Sequence, residues 1–213
     1  AYLREFLSDP RIVEVPRLIW WLVLNLVILN IRPARSAKSY RSVWTDEGSP
    51  LLVHTQAQCD ALREAVAADD VVVEFAMRYG EPSIPRVLQS MADQGVRRLV
   101  VLPLYPQYSA STAASTFDKL AEDFKQRRWL PDLRFVMHYH DHPAYVAAIA
   151  DSIAAHRAEH GDADVLLFSY HGVPQRYLDE GDPYHCECLK TSRLVAERLG
   201  PVSYTHLRAH ETS

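Results

Sequence analysis

Residues 96–128, "VRRLVVLPLYPQYSASTAASTFDKLAEDFKQRR", change character twice in one stretch. Residues 96–105 are a short, almost continuous apolar run, the pattern of a strand buried on both faces of a parallel sheet. Residues 115–128 carry apolar positions three and four apart, as a helix lying across such a sheet would. Between them runs a loop of prolines, tyrosines and hydroxyl residues. This strand, loop and helix is the repeating unit of a doubly wound fold.

The unit recurs on either side. "DVVVEFAMRY" (70–79), "LRFVMHYH" (133–140) and "DVLLFSYH" (164–171) read as further strands, and "IPRVLQSMADQG" (84–95) and "PAYVAAIADSIAAHRAEHG" (143–161) as crossover helices closed by glycine. Strands alternating with helices predict an α/β architecture with parallel sheets. In such sheets ligands sit beyond the carboxyl ends of the strands, which places the loops beginning at Arg78, Tyr105, His140 and His171 around any site. "HYHDHP" separates a strand from the long helix, so the chain divides near residue 140.

The composition is that of a globular chain: 213 residues, 48% hydrophobic and 23% charged, with a net charge of −4. A mildly acidic chain without clustered Lys and Arg has no electrostatic footprint for nucleic acid, so no nucleic-acid partner is expected. Cys59, Cys186 and Cys188 form no spaced framework, and no basic-then-apolar leader opens the chain. A cytoplasmic location is the expectation. The run "RLIWWLVLNLVILNI" (17–31) is uncharged after Arg17 but broken by Asn25 and Asn30. It falls short of the roughly 20 apolar residues that span a bilayer. It reads either as a buried helix or as an exposed apolar lip for a greasy ligand or a membrane surface, because Trp20 and Trp21 cannot share one narrow helical stripe.

Three loops carry chemistry. In "PLYPQYSASTAAST" (103–116), Tyr105 and Tyr108 precede Ser109, Ser111, Thr112, Ser115 and Thr116. Hydroxyls and backbone N–H groups entering a helix either cap it or hold an anion. In "FAMRYGEPSI", Arg78 is either half of a surface ion pair or a two-pronged partner for a carboxylate, and Tyr79 can lie against a flat ring. In "LLFSYHGVPQRYLDEGDPYH" (166–185), His171 ends a strand and the following glycine lets the backbone turn away from its ring. An imidazole there either packs, or takes protons and binds a divalent ion. Asp182 of "GDPY" is expected to cap the next helix. His138, His140 and His142 alternate like a chelating comb, but lacking a fourth ligand they read as surface histidines at a strand end. "HCEC" (185–188) has soft ligands at too tight a spacing for a zinc or iron–sulfur site.

Together "YRSVWTDEGSPLL" (40–52), "MRYGEPSI" (77–84), "LPLYPQYSASTAAS" (102–115) and "LLFSYHGVPQRYLDEGDPYHCEC" (166–188) resemble the ferrochelatase family, in the family's order and at its approximate spacing, from residue 1 to about 201. The resemblance implies two Rossmann-like, chelatase-type halves with parallel sheets, the second incomplete. The first is expected over residues 1–140 with the apolar lip, the second over 141–201, and residues 202–213 read as a non-family tail. It implies insertion of ferrous iron into protoporphyrin IX, giving protohaem and two protons. By resemblance His171 receives pyrrole protons and contacts the metal. Arg78, Tyr79, Tyr105, Ser109, Ser111 and Thr112 wall the porphyrin cleft, and Arg32, Tyr40 and Ser49 lie near the macrocycle and its propionates.

The chain also departs from the family pattern. It begins after the family's opening strand and "NLG"-type turn, and it lacks the C-terminal third with the glutamate that faces the histidine. The expectation is therefore a fragment of doubtful activity. Ala110 stands where some members have a cluster cysteine, so no cofactor and no iron–sulfur cluster is expected; iron is substrate. Peripheral membrane contact through Trp20 and Trp21, at an inner membrane, is left open, as is the oligomeric state. The alternatives are a porphyrin- or haem-binding module without catalysis, a cobalt or nickel chelatase of the same fold, and, more remotely, a phosphate-binding α/β protein, which would lack its glycine-rich cradle.

Overall fold

A computed structural model of the chain describes residues 2–200 and 204–208. Most of the expected 202–213 tail lies outside the described residues. The fold is α/β, as expected. In chain order it comprises α1 (Tyr2–Ser8), α2 (Arg17–Val23), a π-helical turn (Leu24–Ile28), α3 (Leu29–Arg41), α4 (Pro50–Ala65), α5 (Ile84–Asp93) and β1 (Arg98–Val101). A second π turn (Ala110–Ala114) leads into α6 (Ser115–Phe124), β2 (Asp132–Phe135), α7 (Pro143–His160), β3 (Leu166–Tyr170), α8 (Gln175–Asp179), α9 (Tyr184–Leu199) and β4 (Tyr204–Arg208).

The strands form two small sheets, β1 with β2 and β3 with β4. β3 and β4 run parallel, from Leu166 opposite Tyr204 to Tyr170 opposite Arg208. Asp132 N–H donates to Arg97 and Val136 N–H to Val101. Pairing that advances in step on both chains makes β1 and β2 parallel too.

Three of the four predicted strands form. The exception is 70–79, where residues 71–76 join no ladder among the described residues. The Val73 carbonyl, which a neighbouring strand would use, accepts instead from Arg63 Nε at 2.8 Å, and Met77 N–H closes a local loop onto Pro82.

The chain divides into two compact units, residues 1–99 with 115–134, and 100–114 with 135–213. In the first, Leu88 of α5, Leu99 of β1 and Leu120 of α6 are buried. In the second, Val146, Ile149, Ala150 and Ile153 recur at helical spacing along α7 and pack with Phe168, Leu194, Val195 and Leu199. Each fully buried aliphatic side chain contributes roughly 1.5–3 kcal/mol, so this seam is what seats α9. α7 ends where predicted, at Gly161, whose φ of 86° suits a residue without Cβ.

The 17–31 run is helical but not buried: Leu24 alone is buried, while Leu18 and Leu26 are 76% and 67% exposed. The two tryptophans diverge, as the helical stripe requires. Trp20 is half-buried and its Nε1 donates to Leu7 O at 2.6 Å; Trp21 faces outward. Asn30 Nδ2 donates to the carbonyls of Asn25 and Leu26 within the wide turn, and Asn25 Oδ1 accepts from Arg4. Among the described residues, no helix is long and apolar enough to cross a membrane.

Candidate functional site

In the first unit the expected cleft residues meet a buried acid. Asp9 is 5% exposed and follows α1. Its Oδ2 accepts from Arg78 Nη2 at 2.5 Å, from the Tyr79 hydroxyl at 2.7 Å and from Ser115 Oγ, while Oδ1 accepts from Arg11 N–H. Arg78 Nε completes the group by donating to Ser115 Oγ and the Ser115 carbonyl. Burial alone would raise the Asp9 pKa, but hydrogen bonds from Ser115, Tyr79 and Arg11 and the Arg78 charge outweigh it and hold the carboxyl below its usual value. Burial pushes the Tyr79 hydroxyl well above its ordinary range.

Arg78 therefore forms neither a surface ion pair nor an open two-pronged grip: its side chain is 13% exposed and engaged with Asp9, and its guanidinium lies over the Tyr79 ring at 4.4 Å. Tyr79 is edge-on to Phe6 and Tyr2, and Tyr2 is edge-on to Tyr40, so an aromatic row extends outward from the buried acid. Arg32 is exposed on α3, and half-buried Ser49 precedes α4 without a side-chain cap bond. A groove of about 690 Å³ between α4 and α5, lined among others by Leu52, Gln56, Arg63, Glu74 and Arg86, holds none of the expected site residues.

In the second unit the loop after β1 is held from α9. Ser109 is buried, and its Oγ meets Asp182 Oδ2 at 2.9 Å and Ser111 Oγ at 3.0 Å. Ala110 N–H donates to the same Asp182 oxygen, and Thr112 donates back to Ser109 O. The other oxygen, Asp182 Oδ1, accepts from Tyr184 N–H at the start of α9, the expected capping bond. One carboxylate thus caps a helix and clamps the serine loop. The hydroxyls of Ser109 and Ser111 are engaged in this clamp; Tyr105 is 41% exposed.

His171 leaves β3 exposed, with Nδ1 2.6 Å from the Gly172 carbonyl. A carbonyl only accepts, so Nδ1 is the donor in this bond and Nε2 lies outside it. The Tyr184 hydroxyl bonds to the His171 backbone, and its own pKa is driven up mainly by burial. "GDPY" therefore supports both the serine loop and the histidine.

The histidine comb does not stay together. Residues 136–142 have already left β2. His142 Nδ1 accepts from Ala144 N–H and caps α7. His138 Nδ1 meets Glu187 Oε1 at 2.6 Å, and buried His140 brings Nδ1 to 3.3 Å from Glu187 Oε2. His140 is thus no surface histidine: the bend after β2 turns it inward. Burial lowers its pKa against the pull of Glu187 and Asp141. Glu187 Oε2 also accepts from Tyr108 N–H, tying α9 to the tyrosine loop.

Sequence reading did not single out Asp9 or Glu187. Asp9 had one signal, an Asp-Pro step of the kind whose carboxylate bonds the backbone two residues on. Glu187 was hidden between two cysteines, yet it stands one helical turn before Thr191, on the buried face of α9.

A model of the ferrochelatase family matches residues 1–210, running beyond residue 201, where the motif resemblance stopped. The ferrochelatase of Pseudoalteromonas atlantica is 64% identical over 202 residues, covering 93% of this chain and 56% of its own length. Those of Marinobacter nauticus and Idiomarina loihiensis are 64% and 63% identical, again over 93% of this chain and 55% and 56% of theirs. The chain spans little more than half the length of these relatives. On this match over nearly its whole length, the chain belongs to the ferrochelatase family.

Proposed function

We propose that the protein of which this chain forms part inserts ferrous iron into protoporphyrin IX, with His171 taking up pyrrole protons. The observation that carries this reading is the placement of the His171 ring: exposed at the carboxyl end of β3, with Nδ1 bonded to Gly172 and Nε2 outside that bond. Insertion requires two N–H protons to leave as a divalent ion enters, so an oriented imidazole suits the task. The lone pair of a neutral ring is also a ligand for a borderline metal ion. Tyr105 and the Ser109–Thr112 loop contribute a wall to the porphyrin cleft, as do Arg78 and Tyr79, whose roles are to hold α1 and the aromatic row in place through Asp9. Arg32, Tyr40 and Ser49 lie toward the propionates.

The exposed face formed by Leu18, Trp21, Leu22 and Leu26 is the apolar lip of that cleft and rests against a bilayer surface, where a hydrophobic porphyrin partitions. A porphyrin fluorescence titration of this chain, followed anaerobically by ferrous iron, tests the reading. Tight binding with loss of free-base emission as iron enters supports it. Failure to bind porphyrin refutes the cleft assignment, and binding without insertion makes this part of the protein a porphyrin-binding module.

A further inference from the structure

His138, His140 and Glu187 each offer a ligand atom, and these atoms all lie within 4.8 Å of one another. Glu187 and His140 are buried, at 6% exposure each, whereas the His138 side chain is half exposed. Two imidazoles and a carboxylate are the donor set of borderline divalent transition ions, and three protein ligands leave a position for water or an incoming group.

A second observation points into the same place. Nδ1 of His140 is buried without a hydrogen-bond partner, although Glu187 Oε2 is 3.3 Å away; the approach is close but misaligned. Such an orphan carries a cost that a third party would relieve. Its surroundings are anchored independently, since Glu187 Oε2 accepts from Tyr108 N–H and the His140 backbone is held by a bond from Thr191 Oγ1 to its carbonyl. An ion with ligand bonds of about 2.0–2.1 Å holds ligand atoms roughly 3.3 Å apart, a spacing that rotation of the exposed His138 ring can reach.

We infer that His138, His140 and Glu187 form a second divalent transition-metal site, separate from His171. Bound there, the ion pins the segment after β2 to α9 beside the tyrosine loop. The inference does not rest on the chelatase reading, because it is tested without porphyrin.

The test is titration of the metal-stripped chain with Co²⁺ alone, read by visible d–d absorption, with Mg²⁺ as the comparison ion. One Co²⁺ per chain with visible bands is expected, and no displacement by millimolar-range Mg²⁺. His138→Gln and Glu187→Gln should each weaken binding at least about tenfold, since even outer partners of a site have effects of that size. His142→Ala should leave it unchanged. Should Glu187→Gln fail to fold, His138→Gln, at a half-exposed position, carries the test alone. Equal Co²⁺ uptake by wild type and His138→Gln, or loss of uptake only in His171→Ala, overturns the proposal.

Discussion

Arg78 and Asp9 lie 69 positions apart in sequence and form a buried ion pair, with Asp9 also receiving the hydroxyls of Tyr79 and Ser115. The pair ties the loop after residue 77 to the end of α1 and to the start of α6. Removing one partner of such a pair leaves an uncompensated buried charge, which is far more costly than the pair is stabilising.

Asp9→Ala is therefore expected to destabilise the chain by about 3 kcal/mol, the lower end for a broken buried pair. Urea unfolding followed by circular dichroism checks this, and a loss under about 1 kcal/mol would show that the ion pair is replaceable by water.

The same carboxylate sets a pH dependence. Its pKa is lower folded than unfolded, so its stabilisation is complete above the unfolded value of about 3.9 and is lost as pH falls through the lower folded value. Unfolding midpoints between pH 6 and 3 should fall more steeply for wild type than for Asp9→Asn. Parallel curves would remove Asp9 from the acid response.

Asp182→Ala removes the clamp on Ser109 Oγ and Ala110 N–H together with the bond to Tyr184 N–H. Hydrogen bonds to charged groups are worth about 1.5–3 kcal/mol each, but not additively, so a loss of about 3 kcal/mol is expected. Amide exchange at Ala110 should accelerate as well; unchanged protection there would mean that the loop holds itself.

His171→Ala in the full-length protein should abolish iron insertion while porphyrin affinity stays within a few-fold. Stopped-flow loss of free-base porphyrin fluorescence distinguishes the two steps. Wild-type turnover in this variant would remove the proton-accepting role from His171.

Trp21→Ser should reduce partitioning onto anionic vesicles by about tenfold, because it removes an exposed aromatic from the face proposed to meet lipid. Trp20→Phe should leave partitioning largely unchanged and instead lower stability, since Trp20 Nε1 is engaged with Leu7 O. Sedimentation with vesicles measures the first effect. Equal partitioning of Trp21→Ser and wild type would assign that face to another role.

Much of this architecture was legible because periodicity is a local property. The α7 pattern from Val146 to Ile153 and the apolar run of β3 each state their own burial, and Gly161 marks the helix end. Strand 70–79 read equally well and failed, because a ladder depends on a partner that the segment's own residues do not specify. The site divided along the same line. His171 was visible from its strand-end position and the glycine after it. The engagement of Arg78 with Asp9, and of His138 and His140 with Glu187, spans 69 and about 50 residues, and no pattern within either segment encodes it. The inward turn of His140 was missed for a related reason: alternation along a strand was assumed to persist where the backbone had already left β2.

The π-helical turn at Leu24–Ile28 means that length and orientation are uncoupled along the rod that carries the exposed apolar face. Each α-helical residue advances the chain by 1.5 Å and about 100°. A π turn holds about one residue more than an α turn, so deleting a single residue within Leu24–Ile28 would let the segment wind as a regular α-helix with Arg32 and Tyr40 still facing the side they face now. A family member one residue shorter here would be expected to aim the same side chains in the same direction, so an alignment gap at this turn should be read as a lost bulge.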